Sequence, residues 1–146
     1  MKLGLDVHGV VDTFPEVFRK LAQSIIDAGG EVHIITGMTY EDAVKLEGFE
    51  ELGVPYTHFF SIVEQLTEDG VKIDWLPYGD GGRLLPYAPN EFWDPAKANY
   101  CDRVGIDMLI DDSAVYGEHF DDRETIYCQL RNTKRKSYKT RPKKGE

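Results

Sequence analysis

Lys2-Leu3-Gly4-Leu5-Asp6-Val7-His8-Gly9-Val10-Val11 is the stretch on which the fold turns. Its apolar residues make a run of strand length, and the run stops at a carboxylate, an imidazole and a glycine. A helix is expected to follow, with Thr13 as its N-cap and Pro15 in its first turn. Val17, Phe18, Leu21, Ala22, Ile25 and Ile26 recur at helical spacing until Gly29-Gly30. A second β-rich run, residues 32–35, ends in Thr36-Gly37. A second helix is predicted over residues 39–52, capped by Thr39 with Asp42 three places on. Residues 58–62 read as a third strand and 63–67 as a short helical piece. Asp94-Pro95 opens a helix to residue 104, residues 108–110 form a strand into Asp111-Asp112-Ser113, and 125–130 form the last strand. Short apolar strands alternating with helices predict an α/β, three-layer Rossmann-like fold with a mostly parallel central sheet over residues 1–130.

Residues 70–95 break the rhythm. They hold four prolines, four glycines and the rings Trp75, Tyr78, Tyr87, Phe92 and Trp93. Asp80-Gly81-Gly82 signals a hairpin. So many large rings do not suit a linker, and residues 68–95 read as a small inserted flap. The rings are candidates to stack on a base or a sugar, and Arg83 is the flap's cation for a second anionic group.

Charge divides the chain. Residues 131–146 carry eight Lys/Arg and one acid, while the first 130 carry nine Lys/Arg and 25 acids. The tail reads as unpacked, a candidate for nucleic-acid contact through phosphates or for docking on an acidic body. A body this acidic repels anionic ligands at long range, so a phosphate site in it needs a local cation. No apolar run is long enough for a membrane span. An acid as early as Asp6 argues against a secretory leader, so the expected location is cytoplasmic. Cys101 and Cys128, without ligand-like spacing, read as two buried thiols.

Three predicted strands end in polar groups: Asp6 with His8, Thr36, and Asp111 with Asp112. In a parallel sheet those ends meet at one edge, where ligands bind. Carboxylates gathered there repel one another unless a cation joins them, and an oxygen-only donor set suits Mg²⁺.

These residues resemble the haloacid dehalogenase superfamily. Asp6-Val7-His8-Gly9-Val10-Val11 is similar to its first motif, Ile34-Ile35-Thr36-Gly37 to its second, and Lys97 on a helix to its third. Leu109-Ile110-Asp111-Asp112-Ser113 is similar to the fourth. The compact body looks most like small 5'-deoxyribonucleotidase-type phosphatases. The resemblance implies a Mg²⁺-dependent phosphomonoester hydrolase acting on a small phosphorylated substrate, a nucleotide among the options. It implies Asp6 as the nucleophile that forms an aspartyl-phosphate. Asp6, the His8 carbonyl and Asp112 would hold the metal, with Asp111 acting through water or through hydrogen bonds. Thr36, Gly37 N–H and Lys97 would bind the phosphoryl group. His8 stands where the family has the aspartate of proton transfer. Imidazole can do acid–base work near neutral pH, but a metal ion beside it disfavours its charged form. Three outcomes stay open: a slower phosphatase, a phosphatase with a shifted pH optimum, or a fold that binds a phosphorylated ligand or a protein partner without catalysis.

Overall fold

A computed structural model describes residues 1–131. The basic segment 132–146, with the nucleic-acid and docking readings attached to it, lies outside the described residues.

The chain alternates as the sequence predicts. Strand β1 (Lys2–Leu5) leads to helix α1 (Pro15–Asp27), β2 (Glu31–Thr36) to α2 (Tyr40–Glu47), and β3 (His58–Ser61) to α3 (Ile62–Glu68). A hairpin of β4 (Asp74–Tyr78) and β5 (Arg83–Tyr87) follows. Next come α4 (Asn90–Trp93), α5 (Ala96–Val104), β6 (Met108–Asp111), α6 (Ala114–Gly117) and β7 (Ile126–Gln129). Five strands form one sheet in the order β3-β2-β1-β6-β7, and all its pairings are parallel. The hairpin is a separate antiparallel pair with Asp74 opposite Tyr87. No helix among the described residues is long and apolar enough to cross a membrane.

Strand alternation sends side chains to two buried clusters, one on each face. Leu3, Leu5, Val32 and Ile34 pack with Phe18 and Ala22 of α1. Ile35, Phe60 and Leu109 pack with Leu66 of α3 and with Tyr100 and Cys101 of α5. Gly4, at the centre of the sheet, faces that second cluster. A Cβ there would stand 2.8 Å from Ile35 Cδ1 and 3.1 Å from Leu109 Cδ1, so the flanking side chains already fill its place.

Several local expectations are corrected. Thr13 does not cap α1: its hydroxyl donates to Asp12 Oδ1, and the capping position is Phe14, without a side-chain hydrogen bond. Val17, placed on the apolar face of α1, is exposed. Thr39 does cap α2, accepting from Asp42 N at 3.1 Å. That helix stops at Glu47, because Gly48 takes a left-handed φ of 65° and turns the chain out of it. Asp94 is not the cap of α5, which starts from Pro95 behind the separate short α4. Cys101 is buried as expected, but Cys128 is exposed.

Candidate functional site

The sheet reverses its direction of growth at β1. The chain builds β2 and β3 on one side, then crosses to β6 and β7 on the other. Such a switch point opens a crevice at the carboxyl ends of the two strands it separates. Asp6 leaves β1 there, its N–H donating to Ile110 O at 3.0 Å, which ties it to β6. Asp111 ends β6. Leu5 pairs with both Ile34 and Ile110, so Thr36 ends β2 at the same edge.

Lys97 reaches the crevice from α5 and is 1% exposed. Its ammonium donates to Asp6 Oδ1 at 3.0 Å and to Asp111 Oδ2 at 2.7 Å, and it lies 4.7 Å from the centre of the Tyr116 ring. Asp111 is fully buried, and its other oxygen accepts from Ser113 N at 3.0 Å. Carboxylate oxygens of Asp6, Asp111 and Asp112 lie within 4.8 Å of one another. Asp111 spends both oxygens inside the protein. Asp6, through Oδ2, and the partly exposed Asp112 are therefore the carboxylates placed to ligate a cation. The donors are all oxygen, which fits a hard ion such as Mg²⁺.

Three carboxylates against one ammonium leave the crevice negative. Burial first, and then the charge of Asp111, raise the Asp6 carboxyl to about 7 against the pull of Lys97. Burial disfavours the charge on Lys97, yet Asp111 and Asp6 outweigh it and hold the ammonium well above the ordinary lysine range. A divalent cation would relieve the same excess.

The loop after Asp6 is built around Asp12. Its Oδ1 accepts from Gly9 N at 2.7 Å and from the Thr13 hydroxyl at 2.9 Å. The turn needs Gly9 at φ 83°, a left-handed value that a side chain would strain. His8 lies between two acids, with Nδ1 3.2 Å from Asp12 Oδ2 and Nε2 2.6 Å from Glu47 Oε2. The second is a close ion-pair contact that falls short of an aligned hydrogen bond. Burial works against a charged ring, but Asp12 and Glu47 prevail and raise the imidazole to about 9. The two carboxylates favour the charged ring, the opposite direction to that expected of a metal ion beside it.

Thr36 is buried. The Trp93 indole lies against Gly37, where a Cβ would meet Cζ2 at 3.0 Å. Trp93 Nε1 donates to Tyr116 Oη at 2.8 Å, closing a wall that runs on to Lys97. Of the residues singled out in the sequence, Asp6, Lys97, Asp111 and Asp112 come into mutual contact range. Thr36 and Gly37 share their edge, and His8 stands over the loop. Arg83, the flap cation expected to meet a second anionic group, donates from Nη2 to Glu47 Oε1 at 2.7 Å. Glu47, Asp12 and Tyr116 escaped the sequence reading, and Trp93 was read there only as one of the flap's rings. Only the acid-rich helix end at Glu47 and the ring-rich segment before Lys97 hinted at them.

No family model, curated protein or solved structure matches this chain. The site therefore stands on its own geometry.

Glu47→Gln tests the His8 arrangement. A group whose folded pKa is raised stabilises fully below its unfolded value, ordinarily 6.5 for histidine, and loses that contribution as pH climbs through about 9. Wild type should melt above the variant near neutral pH by about 1–3 kcal/mol in stability. The gap should narrow above pH 9, where only the Arg83 pair with Glu47 is left, and close in acid once Glu47, whose pKa is lowered, takes a proton. Thermal melts from pH 4 to 10 measure this; a gap that does not change with pH would contradict it.

Proposed function

We propose that this chain is a phosphomonoester hydrolase of the haloacid dehalogenase type, with Asp6 as nucleophile and Mg²⁺ as cofactor. One observation carries the reading: Asp6, Asp111 and Asp112 converge beside a fully buried lysine at the switch point of a parallel sheet. A carboxylate is costly to bury, and this centre gathers three where a phosphoryl group and a cation would offset one another.

Asp6, through Oδ2, and Asp112 would hold Mg²⁺, which when bound supplies positive charge to phosphoryl oxygens. Lys97 donates to Asp6 Oδ1 and offsets the charge there, and Oδ1, the oxygen not given to the metal, would be the attacking atom. A bond would form from Oδ1 to phosphorus as the ester P–O bond breaks, giving an aspartyl-phosphate and a leaving oxygen that takes up a proton from His8 or from water. Thr36 and Gly37 stand at the edge where phosphoryl oxygens would be received, and Lys97 balances their charge. His8 carries the proton nearest this loop, and releasing it means breaking its contact with Glu47 or Asp12. Water then attacks the acyl phosphate and releases inorganic phosphate. The hairpin and the Trp93–Tyr116 wall would flank the leaving group, which is where a nucleoside or another small metabolite would sit.

A second reading has its own support. Both ring nitrogens of His8 face carboxylates, an arrangement suited to holding a loop rather than to passing a proton, so a binding protein without turnover is the rival. Phosphate release from p-nitrophenyl phosphate, with and without Mg²⁺, decides between them. Hydrolysis that requires Mg²⁺ is expected. Asp112→Asn should raise the Mg²⁺ needed for half-maximal rate by about tenfold or more while leaving the Lys97–Asp111 pair intact. Equal signals from wild type and Asp6→Asn would end the enzyme reading. A panel of nucleotides and sugar phosphates then identifies the substrate class.

A further inference from the structure

At the opposite end of the sheet a second set of ligating side chains converges: Glu31 and His33 on β2, and His58 on β3. The β2–β3 register makes His33 and His58 direct cross-strand partners. Alternation puts Glu31 on the same face as His33. Farther along that face Phe60 stacks on Tyr100 at 4.2 Å, so the histidine pair occupies a row where apolar side chains would otherwise continue the core. His33 is 1% exposed, but the His58 side chain is 50% exposed. The cluster is thus anchored inside and reachable from solvent.

The spacing suits a small ion. Glu31 Oε1 lies 2.8 Å from His33 Nε2 and 3.7 Å from His58 Nδ1. Ligand atoms about 2.0–2.1 Å from a tetrahedral zinc ion stand roughly 3.3 Å apart, between those two values. The other nitrogen of His33, Nδ1, hydrogen-bonds the Tyr100 hydroxyl at 2.6 Å. Ligating imidazoles are usually held by such an outer partner, which fixes the ring and turns its second nitrogen to the ion. Glu31 Oε2 lies 3.7 Å from Lys2 Nζ, itself donating to Val104 O, so the nearer oxygen is the one left to the rings. The two rings stack at 4.2 Å with planes 8° apart. His58 is the ring that must turn to ligate, exchanging its 2.8 Å contact with Thr57 Oγ1 for the ion.

We propose that Glu31, His33 and His58 form a site for a borderline divalent transition metal, Zn²⁺ foremost, separate from the carboxylate centre. Two imidazoles and one carboxylate suit Zn²⁺ and Cu²⁺, whereas the all-oxygen set at Asp6 suits Mg²⁺. His33 precedes Thr36 by three residues, roughly 10 Å of strand, so the two sites do not share ligands. The ion would pin β3, an edge strand of the sheet, to its neighbour, and binding would stabilise the folded chain.

The test uses the full chain, with Zn²⁺ and Cu²⁺ as probes and excess Mg²⁺ present. One Zn²⁺ per chain is expected by equilibrium dialysis. Tyr100→Phe should weaken it about 10–100-fold, as loss of an outer partner does, and His58→Ala should weaken it further. Cu²⁺ EPR should show coupling to two ring nitrogens in wild type and to one in His58→Ala, with circular dichroism confirming that the exposed-site variant still folds. Unchanged Zn²⁺ affinity in His58→Ala, or an oxygen-only EPR pattern, overturns the proposal. So does loss of the bound ion in Asp112→Asn with His58 intact, which would place it at the carboxylate centre.

Discussion

Asp6→Asn should abolish phosphate release and, in the same preparation, make the metal-free protein harder to unfold. The loss follows from the proposed chemistry. An amide cannot form the acyl phosphate, and removing a nucleophile typically costs about 10⁴–10⁶-fold in turnover. The stability gain follows from electrostatics. Burial and Asp111 raise the Asp6 carboxyl from its ordinary 3.8 to about 7. A carboxyl raised in this way favours folding while protonated, and its contribution is eroded as pH climbs from about 4 to 7. Asparagine mimics the protonated form and still offers Lys97 an oxygen. The variant should therefore match wild type near pH 4 and exceed it increasingly up to pH 7, in melts recorded with a chelator. Mg²⁺ should narrow the difference by stabilising wild type alone. An Asn variant that melts at or below wild type at every pH would remove the picture of a carboxylate held against its own repulsion.

Lys97→Met should have the opposite effect on stability and a similar one on activity. Its side chain is buried, and its ammonium is the shared donor to Asp6 and Asp111. Without it Asp111, wholly buried, keeps only the Ser113 N–H. Breaking a buried pair by removing one partner costs about 3–5 kcal/mol, a large share of the 5–15 kcal/mol by which a domain is typically stable. Adding Asp111→Asn should restore part of that loss but no hydrolysis, because the restored term is repulsion relieved, not charge supplied to a phosphoryl group. Arginine should not substitute, since the position beneath Tyr116 accommodates a point charge on a slim stem rather than a planar fork. Urea titrations of the two variants and the double measure the coupling. A destabilisation below about 1 kcal/mol for Lys97→Met would mean that the buried pair is not what holds this crevice together.

The fold was legible where neighbours in sequence decide the outcome. The strands ending at Asp6, Thr36 and Asp111 follow from short apolar runs closed by polar turns, and the β4–β5 hairpin follows from Asp80-Gly81-Gly82. Helix entries were misread because capping is a competition. Asp12 draws the Thr13 hydroxyl to itself, and the α4 turn occupies the place where Asp94 would have capped. The convergence of acids was legible because strand ends of a parallel sheet meet by construction. The Glu47 link between His8 and Arg83 was not, because nothing in an acidic helix terminus says which loop lies across from it.

Residue order alone determined the alternation of strands and helices and the acids that stand at the strand ends, since both depend on local period and turn chemistry. Tertiary structure decided which oxygens Lys97 occupies, how Asp111 differs from Asp112, and that His8 lies between Asp12 and Glu47. It also decided that His33 and His58 face each other. Those outcomes depend on burial and on distances of a few ångströms between residues far apart in the chain, and charge interactions in a poorly solvated crevice change most steeply over that range.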